Sequence, residues 1–148
     1  MTDADAATDP LTWDVVQRWL ASSKYYWVVT SRPDGRPHTR AVWGVWLEPR
    51  FHFTTSPETV MARNVVGNGY ALMHPESAVD VVIVEGTVHR AAGTSLASVA
   101  DAYERKYGWR MDPEDPGMPF YSLEAQTALS WKARDPRGSA VRWRFDPA

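Results

Sequence analysis

The chain has 148 residues, of which 44% are hydrophobic, and its formal net charge is −2. This length supports one domain with its own core, residues 1–148, and the charge argues against a broad nucleic-acid surface, because phosphate contacts need a positive excess. The absence of cysteine excludes disulfides, thiolate metal sites and cysteine nucleophiles. No apolar run approaches the roughly 20 residues that cross a bilayer. The acidic N-terminus lacks the features of a signal peptide, so we expect a cytoplasmic protein that contacts neither membranes nor nucleic acids.

The first segment, residues 1–24, is predicted to hold an amphipathic helix over Asp9–Ser23. Its apolar residues recur at helical spacing, and Asp9 followed by Pro10 is typical of a helix start. The next run, Tyr25–Ser31, is rich in aromatic and β-branched residues. This composition predicts a strand that is buried on both faces.

A tight turn over Arg32–Gly35 joins this strand to the next one. Its proline has the fixed φ that suits a turn, and its Asp-Gly pair supplies a position with φ > 0. The alternation that follows predicts one strand over Pro37–Leu47, with Trp43 and Trp46 on opposite faces. A further strand is predicted over Phe51–Thr55.

A helix start is signalled directly after that strand. Ser56 can cap the helix, Pro57 sits where its missing N–H is harmless, and Glu58 favours the positive end of the helix dipole. A helix is therefore predicted over Glu58–Val66. A strand that leads hydroxyl-bearing residues to a helix N-terminus can form a binding site for a phosphate group.

The following elements are predicted to be mostly β. Tyr70–His74 is a short strand, and Val79–His89 is the strongest strand pattern of the chain, with Gly86 typical of a bulge. Thr94–Tyr107 shows helical spacing, and the proline-rich Gly108–Gly117 is predicted to be irregular.

A final hairpin is predicted from Ala128–Ala133 and Ser139–Phe145. The chain then divides into an N-terminal helix (1–24), barrel strands with the hydroxyl-rich segment (25–91), a helix and loop (92–126) and a C-terminal hairpin (127–148). Strands joined mostly by hairpins, with a few short helices, predict a mainly β fold. A small closed or split antiparallel barrel is the expected architecture.

Some single residues in these strands suggest a ligand. Gly44, between Trp43 and Val45, either leaves room for a planar ring to approach the backbone or marks a bulge. Arg40 alternates onto the same face as Val42 and Gly44. The four histidines lie on different predicted elements without metal-ligand spacing, so no metal site is predicted.

Three segments, Asp34–Trp43, Phe53–Asn64 and Val82–Arg90, resemble in their order and spacing the pyridoxamine-phosphate-oxidase-like family of flavin- and deazaflavin (F420)-binding split barrels. The resemblance covers about residues 25–90, with a weaker similarity in the C-terminal hairpin. It implies a split antiparallel β-barrel of the FMN-binding type. It also implies a homodimer with the cofactor between the subunits.

The resemblance further implies a set of cofactor-binding residues. Arg40 matches the strand arginine that faces the cofactor ring and ribityl region in the family. Thr54–Ser56 match its phosphate contacts, and Arg63 and Asn64 match the start of an Arg-Asn pair on its helix. The full implied set is Arg40, Val42, Trp43, Gly44, Thr54, Thr55, Ser56, Thr59, Met61, Arg63 and Asn64.

Two departures bear on the cofactor. Val60 and Met61 stand where FMN-binding members carry an Arg-Lys pair for the phosphate, and Val45 stands where they carry a lysine near the ring. The sequences DGRPH and WRF are more similar to the branch that uses coenzyme F420. The resemblance therefore implies an F420H2-dependent oxidoreductase that reduces a small organic acceptor, with no dedicated catalytic acid or base.

Two alternatives stay open. One is the same fold with FMN as the cofactor of an oxidase or reductase. The other is a non-catalytic protein that binds flavin, F420 or haem. In each case the eight tryptophans and the sheet edges of a small split barrel favour a homodimer, because pairing two copies buries both.

Overall fold

Eight strands and four short helices make up most of residues 10–146, the part of the chain that the computed structural model describes. The helices are α1 (Trp13–Ser22), α2 (Val60–Gly67), α3 (Leu96–Tyr107) and α4 (Pro136–Ser139). The strands are β1 (Tyr26–Ser31), β2 (Pro37–Val42), β3 (Gly44–Leu47), β4 (Arg50–Thr54), β5 (Tyr70–Pro75), β6 (Asp80–Arg90), β7 (Phe120–Lys132) and β8 (Val141–Arg144). The fold is mainly β, as predicted. Within residues 10–146, no helix is long and apolar enough to span a membrane.

The strands form one curled antiparallel sheet. Its order is β2-β1-β5-β6-β7-β4-β3, and β8 pairs with β7 beside this path. The two end strands, β2 and β3, are separated along the chain by Trp43 alone. The sheet must therefore curl until its ends come together, which is consistent with a split barrel.

The prediction of one strand over Pro37–Leu47 is wrong, because the strand is interrupted at Trp43. Strand β2 pairs with β1, whereas β3, which begins after this bend at Gly44, pairs with β4. A Cβ at Gly44 would overlap the ring of Phe51 and lie 2.8 Å from the His52 carbonyl oxygen. Glycine is therefore required for β3 to approach β4 this closely. The Gly44 N–H donates a hydrogen bond of 2.9 Å to the Tyr107 hydroxyl. The room that the sequence suggested for a planar ligand is thus filled by the protein itself.

Large apolar side chains fill the interior of the curled sheet. Tyr26 and Phe51 are both fully buried, and their ring centroids lie 4.6 Å apart. Helix α1 packs on β3, β5 and β6 and buries Val16 and Leu20 in the same core. Each fully buried side chain of this size contributes about 1.5–3 kcal/mol, so this interior is the main source of stability.

Two boundaries near the N-terminus differ from the prediction. Helix α1 is capped by Thr12, whose hydroxyl accepts a hydrogen bond of 3.4 Å from the Val15 N–H. Pro10 therefore precedes the helix, and Asp9 lies outside the described residues. Strand β1 is not buried on both faces, because Trp27 on its outer face is 40% exposed.

A second, smaller core lies on the outer face of the sheet, where α3 packs on β3. Its buried members are Val45, Val99, Ala100, Tyr103 and Phe120. Val45 belongs to this outer core, whereas its neighbour Trp46 belongs to the inner one. The short strand β3 is therefore covered on both faces.

The C-terminal hairpin is longer than predicted. Strand β7 begins at Phe120 rather than Ala128, so residues 120–126, assigned to the loop of segment 92–126, are strand. These residues are held on both sides, because β7 pairs with β6 and with β4. The residues between α3 and β7 form only turns and bends, as predicted for Gly108–Gly117.

The predicted bulge at Gly86 is confirmed and yields a test of stability. The register of β6 against β7 shifts between Glu85 and Gly86, and a Cβ at Gly86 would overlap the Glu124 carbonyl oxygen. Gly86→Ala should lower the free energy of unfolding by about 3 kcal/mol, because backbone cannot give way cheaply. Gly67→Ala is the matched control, since a Cβ there meets nothing within 4 Å. Urea unfolding that shows equal stability for the two variants would contradict this account of the bulge.

Candidate functional site

The hydroxyl-rich segment after β4 is organised differently from the prediction. The cap of α2 is Thr59, whose Oγ1 accepts a hydrogen bond of 3.2 Å from the Ala62 N–H. Ser56 instead lies in a turn before the helix, where its hydroxyl accepts from the Glu58 N–H at 3.3 Å. The predicted cap at Ser56 is therefore wrong by three residues, because Thr59 reaches the free N–H groups of the first helical turn.

Several hydroxyl groups of this segment bind one another. Thr55 is 3% exposed, and its Oγ1 lies 3.1 Å from Thr59 Oγ1. The Thr59 hydroxyl also lies 3.0 Å from the Ser56 carbonyl oxygen, to which it can donate. Thr54, the last residue of β4, is half-buried. The hydroxyls of Thr55 and Thr59 therefore stabilise the entry into α2.

Two residues of the implied set point into the core. Met61 is 1% exposed and Val42 is 7% exposed, and both belong to the interior cluster. Successive helical residues are about 100° apart around the axis, so the burial of Met61 turns Val60 towards the surface. The cofactor contact that the resemblance implies for Met61 would therefore require its side chain to leave the core.

A cleft of about 460 Å³ lies between the β1–β2 turn and α2. Its lining residues are Arg32, Pro33, Asp34, Arg36, Val60, Arg63 and Asn64. Arg63 and Asn64 were predicted from the sequence. The guanidinium groups of Arg32 and Arg36 join them because the turn packs beside the helix.

Charge in this cleft is net positive. Asp34 forms an ion pair of 2.8 Å with Arg36, and the hydrogen bonds from Arg36 lower the pKa of that carboxyl. Arg32 donates one hydrogen bond of 2.8 Å to the Pro37 carbonyl oxygen. Its remaining N–H groups and those of Arg63 are available to an anion, because an arginine carries five donors.

A polar group borders the cleft on the sheet side. Asn64 is 6% exposed, and its Nδ2 donates a hydrogen bond of 3.0 Å to Thr30 Oγ1. His38 is paired with Thr30 across β1 and β2, and its buried Nδ1 has no hydrogen-bond partner among the described residues. Burial lowers the pKa of His38, with smaller effects from the nearby charges of Arg32 and Arg40. Arg40 is exposed on β2 and does not line the cleft itself.

Trp43 and Gly44 lie at the other end of β2, about 20 Å from the turn at 3.3 Å per residue. Trp43 is 45% exposed and stacks on Tyr107, with centroids 4.8 Å apart and ring planes at 17°. Trp46 is buried in the interior, so the two tryptophans lie on opposite sides, as predicted. The structure therefore gathers Arg63 and Asn64 with the turn, and leaves Trp43 at a separate place on the surface.

A partly buried polar network anchors α3 at the bend. Lys106 Nζ donates hydrogen bonds of 2.7 Å to the Tyr26 hydroxyl and 2.9 Å to the Gly44 carbonyl oxygen. The Tyr107 hydroxyl lies 2.8 Å from the Lys24 carbonyl oxygen. Burial lowers the pKa of Lys106 to about 8 and raises that of Tyr107 to about 12.

A family model described as pyridoxamine 5′-phosphate oxidase matches residues 12–133. The chain belongs to the pyridoxamine 5′-phosphate oxidase family. This confirms the resemblance drawn from the three segments of the barrel. No curated protein matches the sequence.

Several solved structures share the fold. A haem-binding protein from Mycobacterium smegmatis has a TM-score of 0.72 at 16% identity, over 87% of this chain and 56% of that one. This chain thus spans just over half the length of that protein. An F420 reductase has a TM-score of 0.61 at 20% identity, over 76% of this chain and 94% of that one. A pyridoxamine 5′-phosphate oxidase-related, FMN-binding protein from Nostoc punctiforme has a TM-score of 0.58 at 15% identity, covering 90% and 92%.

Sequence reasoning missed Arg32 and Arg36 as members of the site, and the buried His38 on the strand beside it. The available signal was the turn itself, in which Arg-Pro-Asp-Gly-Arg-Pro-His places two arginines and a histidine within seven residues. Their proximity to Arg63 could not be seen, because it depends on the packing of α2 against β1 and β2.

The burial of Met61 predicts the outcome of adding a lysine on α2. Met61→Lys should lower the free energy of unfolding by about 3 kcal/mol, because the interior offers the ammonium group no partner. Val60→Lys is the matched control, since Val60 lines the cleft and a lysine there should cost less than about 1 kcal/mol. Thermal unfolding of both variants measures the difference. Equal stability would mean that α2 is rotated relative to its position here.

The lowered pKa of Lys106 predicts a pH dependence of stability. Between pH 8 and 10.5 the unfolded chain binds the lysine proton and the folded chain releases it. The free energy of unfolding should therefore rise as the pH increases from 8 to 10.5, and it should be lowest, with respect to this group, at and below pH 8. The raised pKa values of the tyrosines act in the opposite direction only above pH 10.

Lys106→Met provides the comparison, because it keeps the side-chain length without the charge. Urea unfolding at several pH values should show the wild type gaining stability relative to this variant between pH 8 and 10. Parallel pH profiles would show that Lys106 is solvated in the folded state.

Proposed function

We propose that this protein is an F420H2-dependent oxidoreductase that reduces a small organic acceptor. Membership of the pyridoxamine 5′-phosphate oxidase family supports a flavin-type cofactor, and the similarity to an F420 reductase supports the deazaflavin. The observation that carries the proposal is the cleft in which Arg32, Arg36 and Arg63 converge. Three guanidinium groups suit a cofactor that has both a phosphate and an acidic tail.

The residues of the cleft fit an anionic group. Guanidinium groups bind phosphate and carboxylate in a bidentate manner, and such charge-assisted bonds are the strong ones. The first turn of α2 borders the cleft through Val60, so the positive end of the helix dipole adds to the attraction.

The ring of the cofactor would then lie along β2 towards Trp43, whose exposed indole offers an apolar surface. When bound, the deazaflavin supplies the hydride. The chain's own residues bind and orient it, and they keep water from the reacting face. Under this proposal the protein needs no dedicated catalytic acid or base.

We further propose that two copies pair over the outer face of β1 and β2. Tyr25, Trp27 and Trp43 are 48%, 40% and 45% exposed, and the rings of Tyr25 and Trp43 lie 6.5 Å apart. Exposed aromatic side chains on one sheet face are typical of an interface, and a second copy would cover them symmetrically. The pairing would also shield the reacting face of the cofactor.

FMN is the second candidate cofactor, because the arginine cleft would accept its single phosphate as well. Similarity to the FMN-binding protein from Nostoc punctiforme supports this alternative. Against it, Val60 and the buried Met61 supply no cation where FMN-binding members carry two.

A titration of F420 and of FMN, followed by fluorescence, tests the proposal. F420 should bind more tightly than FMN, and Arg63→Gln should weaken F420 binding by about tenfold or more, as expected for the loss of a charge-assisted contact. Arg40→Gln should have a smaller effect, because Arg40 does not line the cleft. Arg137→Gln, at an exposed position on α4, is the control that should change nothing.

Each outcome separates the candidates. Tighter binding of FMN would establish the second cofactor in place of F420. Binding of F420 without reduction of any nitro or enone acceptor would indicate a binding protein rather than an enzyme. Equal affinity of Arg63→Gln and wild type would remove the cleft from the cofactor site.

A further inference from the structure

A second polar cleft lies on the outer face of the sheet, away from the β1–β2 turn. It has a volume of about 270 Å³ and opens between β4, β7, the end of β6 and the segment that leads into α3. Its floor is formed by His52 and Ser122, which are 6% and 8% exposed. Buried polar side chains cost folding free energy unless they form hydrogen bonds within the protein or to a ligand.

The floor of this cleft is formed by polar residues on neighbouring strands. The strand registers pair His52 with Ser122 and Ser122 with His89, so the three residues form a row across β4, β7 and β6. His52 Nδ1 lies 2.6 Å from Ser122 Oγ. Burial lowers the pKa of His52 to about 4, so the imidazole is neutral near pH 7.

The neutral pair keeps a hydrogen-bond donor for a ligand. Among the described residues, His52 Nε2 has no hydrogen-bond partner. If Ser122 donates to Nδ1, then Nε2 carries the proton and donates towards the cleft. If Nδ1 donates to Ser122, the serine hydroxyl is free to donate. Either tautomer therefore presents one donor at the floor.

The rim adds positive charge. Arg50 and Arg90 both line the cleft, together with His89. Glu124 lies 3.9 Å from Arg50, but this ion pair is partly exposed and contributes little, so Arg50 can turn to a ligand. Ser95, at the N-terminus of the 12-residue helix α3, makes no capping bond with its side chain, which leaves a further hydroxyl at the rim.

We propose that this cleft binds a small oxyanion, either a free phosphate ion or the phosphoryl group of a metabolite. Two arginines above a neutral His-Ser floor give the donors and the charge that a phosphoryl group requires. An adjoining cavity of about 530 Å³ shares His89 and Glu124 and is lined by Thr87, Gln126 and Thr127. It offers polar partners to the organic part of a phosphorylated compound. The site is separate from the arginine cleft of the turn and does not depend on the cofactor.

Calorimetric titration with inorganic phosphate tests the proposal, with chloride at equal ionic strength as the salt control. Phosphate also has access to the turn cleft, so the reference protein is Arg63→Gln, which removes a guanidinium there. In that background phosphate should still bind, and adding Arg90→Gln or Arg50→Gln should weaken the binding about tenfold. Glu124→Gln should tighten it, because a carboxylate near the anion is removed.

Glycerol phosphate distinguishes the two sources of the ligand. Tighter binding than inorganic phosphate would place the organic part in the adjoining cavity, whereas weaker binding would identify the free ion as the ligand. The proposal is overturned if phosphate fails to bind the Arg63→Gln protein at millimolar concentration. It is also overturned if the Arg50 and Arg90 variants bind phosphate as well as their reference protein. A failed F420 titration leaves this result unaffected, because no cofactor is present.

Discussion

The close approach of Gly44 to Phe51 is the constraint on which the rest of the fold depends. It allows one continuous segment to provide both end strands of the sheet, with a bend where β2 becomes β3. The bend is held from outside by Lys106 and Tyr107, which bond to the backbone of Gly44. A side chain larger than hydrogen would push β3 away from β4 and reopen the curled sheet.

The bend also sets the layout of the proposed cofactor site. Strand β2 runs from the arginine-bearing turn at one end to Trp43 at the other, so a charged region and an aromatic region lie along one strand. An elongated cofactor with an anionic end and a planar ring matches this separation. The turn and the bend therefore act together, although neither alone would specify a ligand.

Burial determines which residues of helix α2 can contact a ligand in the cleft. Met61 and Asn64 are both buried, but Met61 packs in the apolar core while Asn64 bonds to Thr30 at the edge of the cleft. Arg63 is left at the surface beside the turn. In this chain the positive charge of the cleft comes from one helix residue and two turn residues. The outer face carries a second, independent group of charges at Arg50 and Arg90.

The sequence by itself determined the class of fold and its family, because alternation, turn residues and the order of the barrel motifs are local properties. It located the turn, the long strand with its bulge at Gly86 and the pair Arg63–Asn64. Only the tertiary structure decided that the strand bends at Gly44, since Phe51 and the helix α3 supply the reason. It also decided which side chains meet: Arg32 with Arg63, and His52 with Ser122, 70 positions away. Such contacts depend on strand pairing and helix packing between distant segments, which no local pattern encodes.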